Sequence, residues 1–248
     1  MKRISVVFIC SLIALSMLLA ACSAKPASST TLTVVTDPTF KPFEYTDDQG
    51  NMVGVDIDIM NAIAEKMGMK VEWQNVPFDP ILAGLASCQY DVSIAAITIT
   101  EERQKNMLFS DPYMDAGLVV VVNSSNDSIK SLDDLKGKTV AAQLGTTGEE
   151  AAKAIENVTY KPYDTYQFAF QDLANGQIDA VVADNPVALG YVKSMDGKLK
   201  VVGDVFNSAP YGIAFCNTKT DLKDKVNAAL KELIADGTID AIVTKYNP

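Results

Sequence analysis

The 248-residue chain contains no histidine, and its four cysteines stand far from metal-binding spacing. Without imidazole there is no Ser-His-Asp or Cys-His nucleophile and no histidine-ligated metal. No glycine-rich phosphate loop is present either. Enzymes can work with Asp, Glu, Lys or Tyr alone, so these gaps narrow the catalytic classes without emptying them. Cations are also scarce: 21 Lys and Arg face 31 Asp and Glu, a formal net charge of −10. Such an acidic surplus disfavours nucleic acid as a partner.

The chain opens with Met1-Lys2-Arg3 and an uncharged apolar run over 4–21, the basic and hydrophobic regions of an export signal. Leu19-Ala20-Ala21-Cys22 resembles the lipobox of bacterial lipoproteins, so cleavage after residue 21 would leave Cys22 as a lipid-modified N-terminus. The other reading is an uncleaved anchor, because the run is long enough to span a bilayer. Both place the rest outside the cytoplasm, on a polar tether over 22–31. Loss of 1–21 leaves 19 cations against 31 acids, a net charge of −12. Cys10 departs with the leader, and Cys88 and Cys216 remain as candidates for a bridge in an oxidising compartment.

Beyond the tether, strand and helix patterns alternate. Strands are expected at 32–36, 70–74, 91–96, 139–142 and 179–183, and helices at 56–67, 79–88, 147–155, 168–175 and 222–236. This alternation predicts an α/β fold with mostly parallel sheets and helices on both faces. The halves repeat weakly: 85–96 (LASCQYDVSIAA) aligns with 173–184 (LANGQIDAVVAD), and 33–37 with 139–143. Ala96 and Asp184 therefore take equivalent positions at strand ends, as do Asp37 and Gln143. Ligands of open α/β sheets bind at that edge.

Thr98-Ile-Thr-Glu-Glu-Arg103 reads as strand end, N-cap and first helical turn. A capping box would put Glu or Gln where Arg103 stands, and a first-turn cation opposes the helix dipole. Arg103 is either a solvated surface residue or a fork aimed at a carboxylate, with Thr98 beside it. Gly145-Thr-Thr-Gly-Glu149 opens a helix with free N–H groups, as an ordinary cap or an anion seat. Asp184 precedes Asn185-Pro186 and either takes an ammonium group or caps the next helix. Phe40, Tyr45 and Phe78 follow strands, where aromatic rings clamp a ligand or cover the core edge.

Six stretches in order, TDPTFKPFEY (36–45), GVDIDIMNAIAEKMG (54–68), AAITITEERQKNMLFSDPY (95–113), LGTTGEE (144–150), QIDAVVADNP (177–186) and YGIAF (211–215), carry a resemblance. The chain resembles the polar amino-acid-binding proteins of bacterial ABC importers, the group of glutamine, histidine and arginine receptors. The resemblance implies a two-lobed, type II periplasmic-binding fold joined by two crossovers. Lobe 1 would cover 32–112 and 212–248, lobe 2 117–206, and the hinge 113–116 and 207–211. Arg103 would bind the ligand's α-carboxylate with the N–H groups of Thr98 and Thr147. Asp184, the Thr98 hydroxyl and the Ala96 carbonyl would take the α-amino group. Phe40 and Phe78 would sandwich the stem, with Asp37 and Gln143 reading its tip.

The glutamine receptors of that group carry lysine at the Gln143 position and a histidine near the aspartate, which this chain lacks. Asp37 thus has no cationic neighbour in the motif, and a buried unpaired carboxylate is costly. A basic or amide amino acid is expected, arginine slightly ahead of glutamine. No cofactor is implied. Expected partners are the free amino acid and membrane permease subunits, with the receptor a monomer. Two rivals are a dehydratase-like enzyme on the same scaffold, with Asp37, Glu44 or Asp184 as its acid, and a sensor module.

Overall fold

The computed structural model describes residues 30–246. The expected leader at 1–21 and the lipidation position Cys22 lie outside the described residues, as does the tether up to residue 29. Strand β1 (Thr30–Thr36) is followed by a small antiparallel sheet of β2 (Thr39–Phe40), β3 (Glu44–Thr46) and β4 (Met52–Val53). Helix α1 (Val55–Lys66) leads to β5 (Met69–Asn75), and α2 (Phe78–Ala86) to β6 (Val92–Ser93). The four-residue α3 (Glu101–Gln104) precedes β7 (Met107–Phe109). Then come β8 (Met114–Asn123), a 3-10 turn (Leu132–Leu135), β9 (Thr139–Gln143), α4 (Thr147–Lys153) and β10 (Thr159–Tyr163). Next are α5 (Tyr166–Ala174), β11 (Ala180–Asp184), α6 (Asn185–Ser194) and β12 (Leu199–Tyr211). Strand β13 (Ala214–Cys216), α7 (Thr220–Ala235) and α8 (Thr238–Tyr246) follow.

These elements build two five-stranded sheets with strand orders β5-β1-β6-β13-β7 and β10-β9-β11-β8-β12. Parallel pairs β1–β6, β10–β9 and β9–β11 stand beside antiparallel strands in each sheet. The second sheet's central runs, Leu118–Val122 and Ala180–Ala183, are apolar and fully buried, as expected of strands covered on both faces. The chain passes to the second sheet and back along neighbouring paths, where Met114 pairs with Tyr211 and Asp115 with Pro210.

Helices form where apolar residues recur at helical spacing. On α5, Tyr166, Ala169, Phe170 and Leu173 share one buried face, while Phe168 points out at 56% exposure. Each fully buried large side chain there contributes roughly 1.5–3 kcal/mol. Helix α1 buries Val55, Ile59, Met60 and Ile63 and carries Asp56 and Asp58 in its first turn, where the dipole favours acids. Its entry needs Gly54 (φ 138°), because the Pro42 carbonyl oxygen lies 2.8 Å from where a Cβ would sit.

The expected strand over 91–96 is shorter: β6 ends at Ser93. Ala96 turns to φ 45°, and its amide donates to the Asp56 carboxylate at 2.6 Å, so it cannot extend the ladder. Cys88 and Cys216 are joined as a disulfide with Cα atoms 5.0 Å apart, tying the end of α2 to β13.

Candidate ligand-binding site

The groups the sequence singled out converge where the strand ends of the two sheets meet. Arg103 is 7% exposed on the short helix α3. Thr100 is the N-cap, its hydroxyl accepting the Arg103 N–H at 3.2 Å. The arginine therefore stands in a first turn against the helix dipole, and the surface reading fails because the side chain is buried. Nη1 donates to the Thr98 carbonyl at 2.8 Å and Nη2 to the Gly145 carbonyl, across the sheets, at 2.9 Å. A guanidinium has five N–H donors, so three remain to meet an anion. Burial pulls its pKa below the ordinary value, with Glu150 and Asp184 opposing. The Phe78 ring lies 5.7 Å from the guanidinium carbon, a cation–π contact that further fixes the fork.

Thr98 is buried and forms an isolated antiparallel bridge with Tyr211 at the end of β12. Facing it, Gly145 adopts φ 77° and Thr146 caps α4, its hydroxyl accepting the Glu149 N–H at 3.2 Å. Thr147 is the first helical residue, so its N–H has no partner within the helix. Glu149 stiffens the loop by accepting the Gly145 N–H at 2.7 Å.

Asp184 is 5% exposed at the end of β11. It sits at the N-cap of α6 but makes no side-chain capping bond, which removes the capping alternative. Burial pushes its pKa up to about 6, with Tyr211 and then Arg103 opposing. The Tyr211 hydroxyl is buried next to Asp184 without a hydrogen bond of ordinary geometry.

Asp37 is buried and accepts three hydrogen bonds. Oδ1 takes the Thr39 hydroxyl at 2.8 Å; Oδ2 takes the Phe78 N–H and the Gln143 amide, each at 3.1 Å. Burial raises its pKa, with these donors opposing, and no cation is among its partners. Gln143 Nε2 also donates to the Asp164 carbonyl at 3.0 Å, while its Oε1 is buried with no partner. Phe40 packs against Tyr166 at 5.7 Å between ring centres. Tyr45 is not brought into this cluster; its half-buried ring lies under the Lys41 ammonium at 4.9 Å.

Sequence reasoning missed Thr39, the Gly145 carbonyl, Asp56, Tyr113 and Tyr211. Thr39 had a signal, since a hydroxyl two residues after an aspartate commonly bonds back to it. The others are brought in by tertiary packing and leave no local mark. The arrangement provides one buried cation and several buried acceptors around the strand ends. It has no nucleophile–base pair, and no cluster among the described residues could hold a metal ion.

The profile of the bacterial extracellular solute-binding proteins, family 3, matches residues 32–248. An L-cystine-binding protein of Escherichia coli is 35% identical over 218 residues, covering 87% of this chain and 82% of that protein. An ancestral arginine-binding protein bound to arginine superposes with a TM-score of 0.84 at 49% identity, covering 88% of this chain and 98% of that one. An ancestral arginine-binding protein bound to glutamine gives 0.81 at 48% identity, covering 87% and 97%.

Proposed function

The chain belongs to the bacterial extracellular solute-binding proteins of family 3, and we propose that it captures a basic or amide amino acid, arginine slightly ahead of glutamine, for an ABC importer. Arg103 takes the ligand's α-carboxylate with the N–H groups of Thr98 and Thr147. Asp184, the Thr98 hydroxyl and the Ala96 carbonyl take the α-amino group. Phe40 and Phe78 flank the stem, and Asp37 with Gln143 meets its tip.

One observation carries the choice of ligand. Asp37 and Gln143 Oε1 are buried acceptors side by side, and no protein cation accompanies them. A guanidinium tip brings positive charge and several N–H groups to both, through charge-assisted bonds of roughly 1.5–3 kcal/mol each. A glutamine amide brings two N–H groups and no charge. A carboxylate tip would meet Asp37 with like charge.

Arg103 lies on the segment before the first crossover, whereas Thr147 and Asp184 lie on the segment between the two. We take 113–116 and 207–211 as the hinge between lobes at 32–112 with 212–248 and at 117–206. A ligand that bonds to both lobes favours their approach by its differential affinity for the closed form. We further propose export by the leader at 1–21 and anchoring through lipid on Cys22. Among the described residues no helix is long and apolar enough to cross a membrane.

The test is titration calorimetry on protein stripped of ligand by unfolding and refolding. Arginine should bind tightest, glutamine about tenfold more weakly, and glutamate not measurably. A clear preference for glutamate or a branched aliphatic amino acid would defeat the assignment.

A further inference from the structure

Beneath the site lies a pair of acids that the ligand contacts do not use. Glu44 on β3 and Asp56 in the first turn of α1 are both fully buried. Asp56 Oδ2 accepts the Ala96 N–H at 2.6 Å and the Tyr113 hydroxyl at 3.0 Å. Three neighbouring oxygens, Glu44 Oε1 and Oε2 and Asp56 Oδ1, have no donor at all. Buried polar atoms left in that state are costly, because they have given up water and gained no partner. The backbone brings the two carboxyl groups together: the Asp56 N–H donates to the carbonyl of Phe43, the residue before Glu44, at 2.9 Å, and the charge of Asp56 bears directly on Glu44. Two ionised carboxylates repel, but a single proton turns the pair into a donor and an acceptor.

We propose that Glu44 is a positioning residue for ligand capture: it shares one proton with Asp56, leaving Asp56 charged to hold the Ala96 amide and the Tyr113 hydroxyl. Atom by atom, the Glu44 O–H donates to Asp56 Oδ1, which supplies the missing donor, while Oδ2 keeps its two bonds. Ala96 is a non-glycine residue at φ 45°, a left-handed conformation in which its Cβ crowds the backbone. The Asp56 bond holds that turn, whose carbonyl is assigned above to the ligand's amine; this inference rests on that reading. Tyr113 and Tyr211 flank the crossovers, and the Tyr113 N–H donates to the Tyr211 carbonyl at 3.1 Å. The pair thus supports the site's floor and the adjoining crossovers together.

The surroundings favour keeping the proton. The titratable groups facing Glu44 are Asp56 from α1, Asp37 from the turn after β1, Asp184 from β11, Tyr113 before β8 and Tyr211 at the end of β12. None is a cation. Burial first, then the Asp56 and Asp37 charges, push the Glu44 pKa well above the carboxylate range, whereas Asp56, with its donors, is pushed up to about 6. The proton therefore belongs mainly to Glu44.

Three proteins test this: wild type, Glu44→Gln and Glu44→Leu. Difference infrared spectra near pH 7 should show a protonated-carboxyl C=O band in the wild type that Glu44→Gln lacks. Glutamine can donate through its amide, so arginine affinity of Glu44→Gln should stay within about threefold of wild type, while leucine, unable to donate, lowers it about tenfold. On the alkaline side the wild type should weaken relative to Glu44→Gln as the shared proton leaves; the ratio cancels deprotonation of the ligand's own amine. Absence of the band, or Glu44→Gln as weak as Glu44→Leu, overturns the proposal. Should Glu44→Leu not fold, the band and the pH profile of Glu44→Gln decide. A wild type that binds no amino acid counts against the functional reading, and the band still decides whether the pair shares a proton.

Discussion

Gln143 gives its amide N–H to Asp37 Oδ2 at 3.1 Å, joining the end of β9 in one sheet to the turn after β1 in the other. The bond leaves Gln143 Oε1 without a donor and leaves Asp37 without a counter-charge. Ligand choice should hang on this pair. Asp37→Asn should weaken arginine about 10–100-fold while changing glutamine only a few-fold, because a charge-assisted acceptor becomes a neutral one. Gln143→Lys places a cation against Asp37 and should reverse the order, with glutamine ahead. Competition calorimetry reads both; equal losses for the two ligands in Asp37→Asn would place the tip elsewhere.

Arg103→Ala should remove the thermal shift caused by every amino acid, since the α-carboxylate is common to all of them. The expected loss is about 100-fold or more, as for a buried charge left unpaired. Arg103→Lys should recover little of it, because an ammonium cannot present the planar fork. A retained shift in Arg103→Ala would contradict the assigned role.

Asp184 should impose an acid limb on binding. Its folded pKa, about 6, lies above the ordinary carboxylate value, so the charge an ammonium needs appears as pH rises through about 6 and is lost below it. Arginine affinity should fall about tenfold between pH 7.5 and pH 5, one unit below that value. The sign reverses for the ligand-free protein. A raised acid contributes stability below its unfolded pKa and loses it as pH rises through about 6, so this part of the apo stability declines towards neutrality. Asp184→Asn should flatten both trends, measured by calorimetry and by thermal melts.

The Cys88–Cys216 bridge closes a loop of 128-residue separation. In the chain-entropy view such a closure stabilises by about 2–5 kcal/mol, so reduction or Cys88→Ala with Cys216→Ala should lower the melting point by several degrees. The bridge joins the end of α2 to β13, and neither cysteine hydrogen-bonds to a residue assigned to the ligand. Arginine affinity should therefore change less than about threefold.

Local patterns made much of this legible. Buried stripes such as Tyr166-Ala169-Phe170-Leu173 and the apolar strands β9 and β11 announce themselves by periodicity. The Arg103 turn was readable because a cation replaced the expected capping acid, and the structure buries it. What failed was set at long range. The strand through Ala96 reads as continuous, yet an aspartate 40 positions earlier takes its amide and ends the ladder. Tyr45 looked like its neighbour Phe40, but its ring sits under Lys41 instead. Glu44 and Asp56 belong to separate elements, and no short-range rule could have paired them.

The Cys88–Cys216 cystine has a topological outcome for handling the protein. Both half-cystines belong to the first sheet's segments, and everything in the second sheet lies between them in sequence. A protease that nicks the backbone once anywhere between Cys88 and Cys216 therefore releases nothing: the two pieces stay one covalent particle and migrate separately only after thiol treatment.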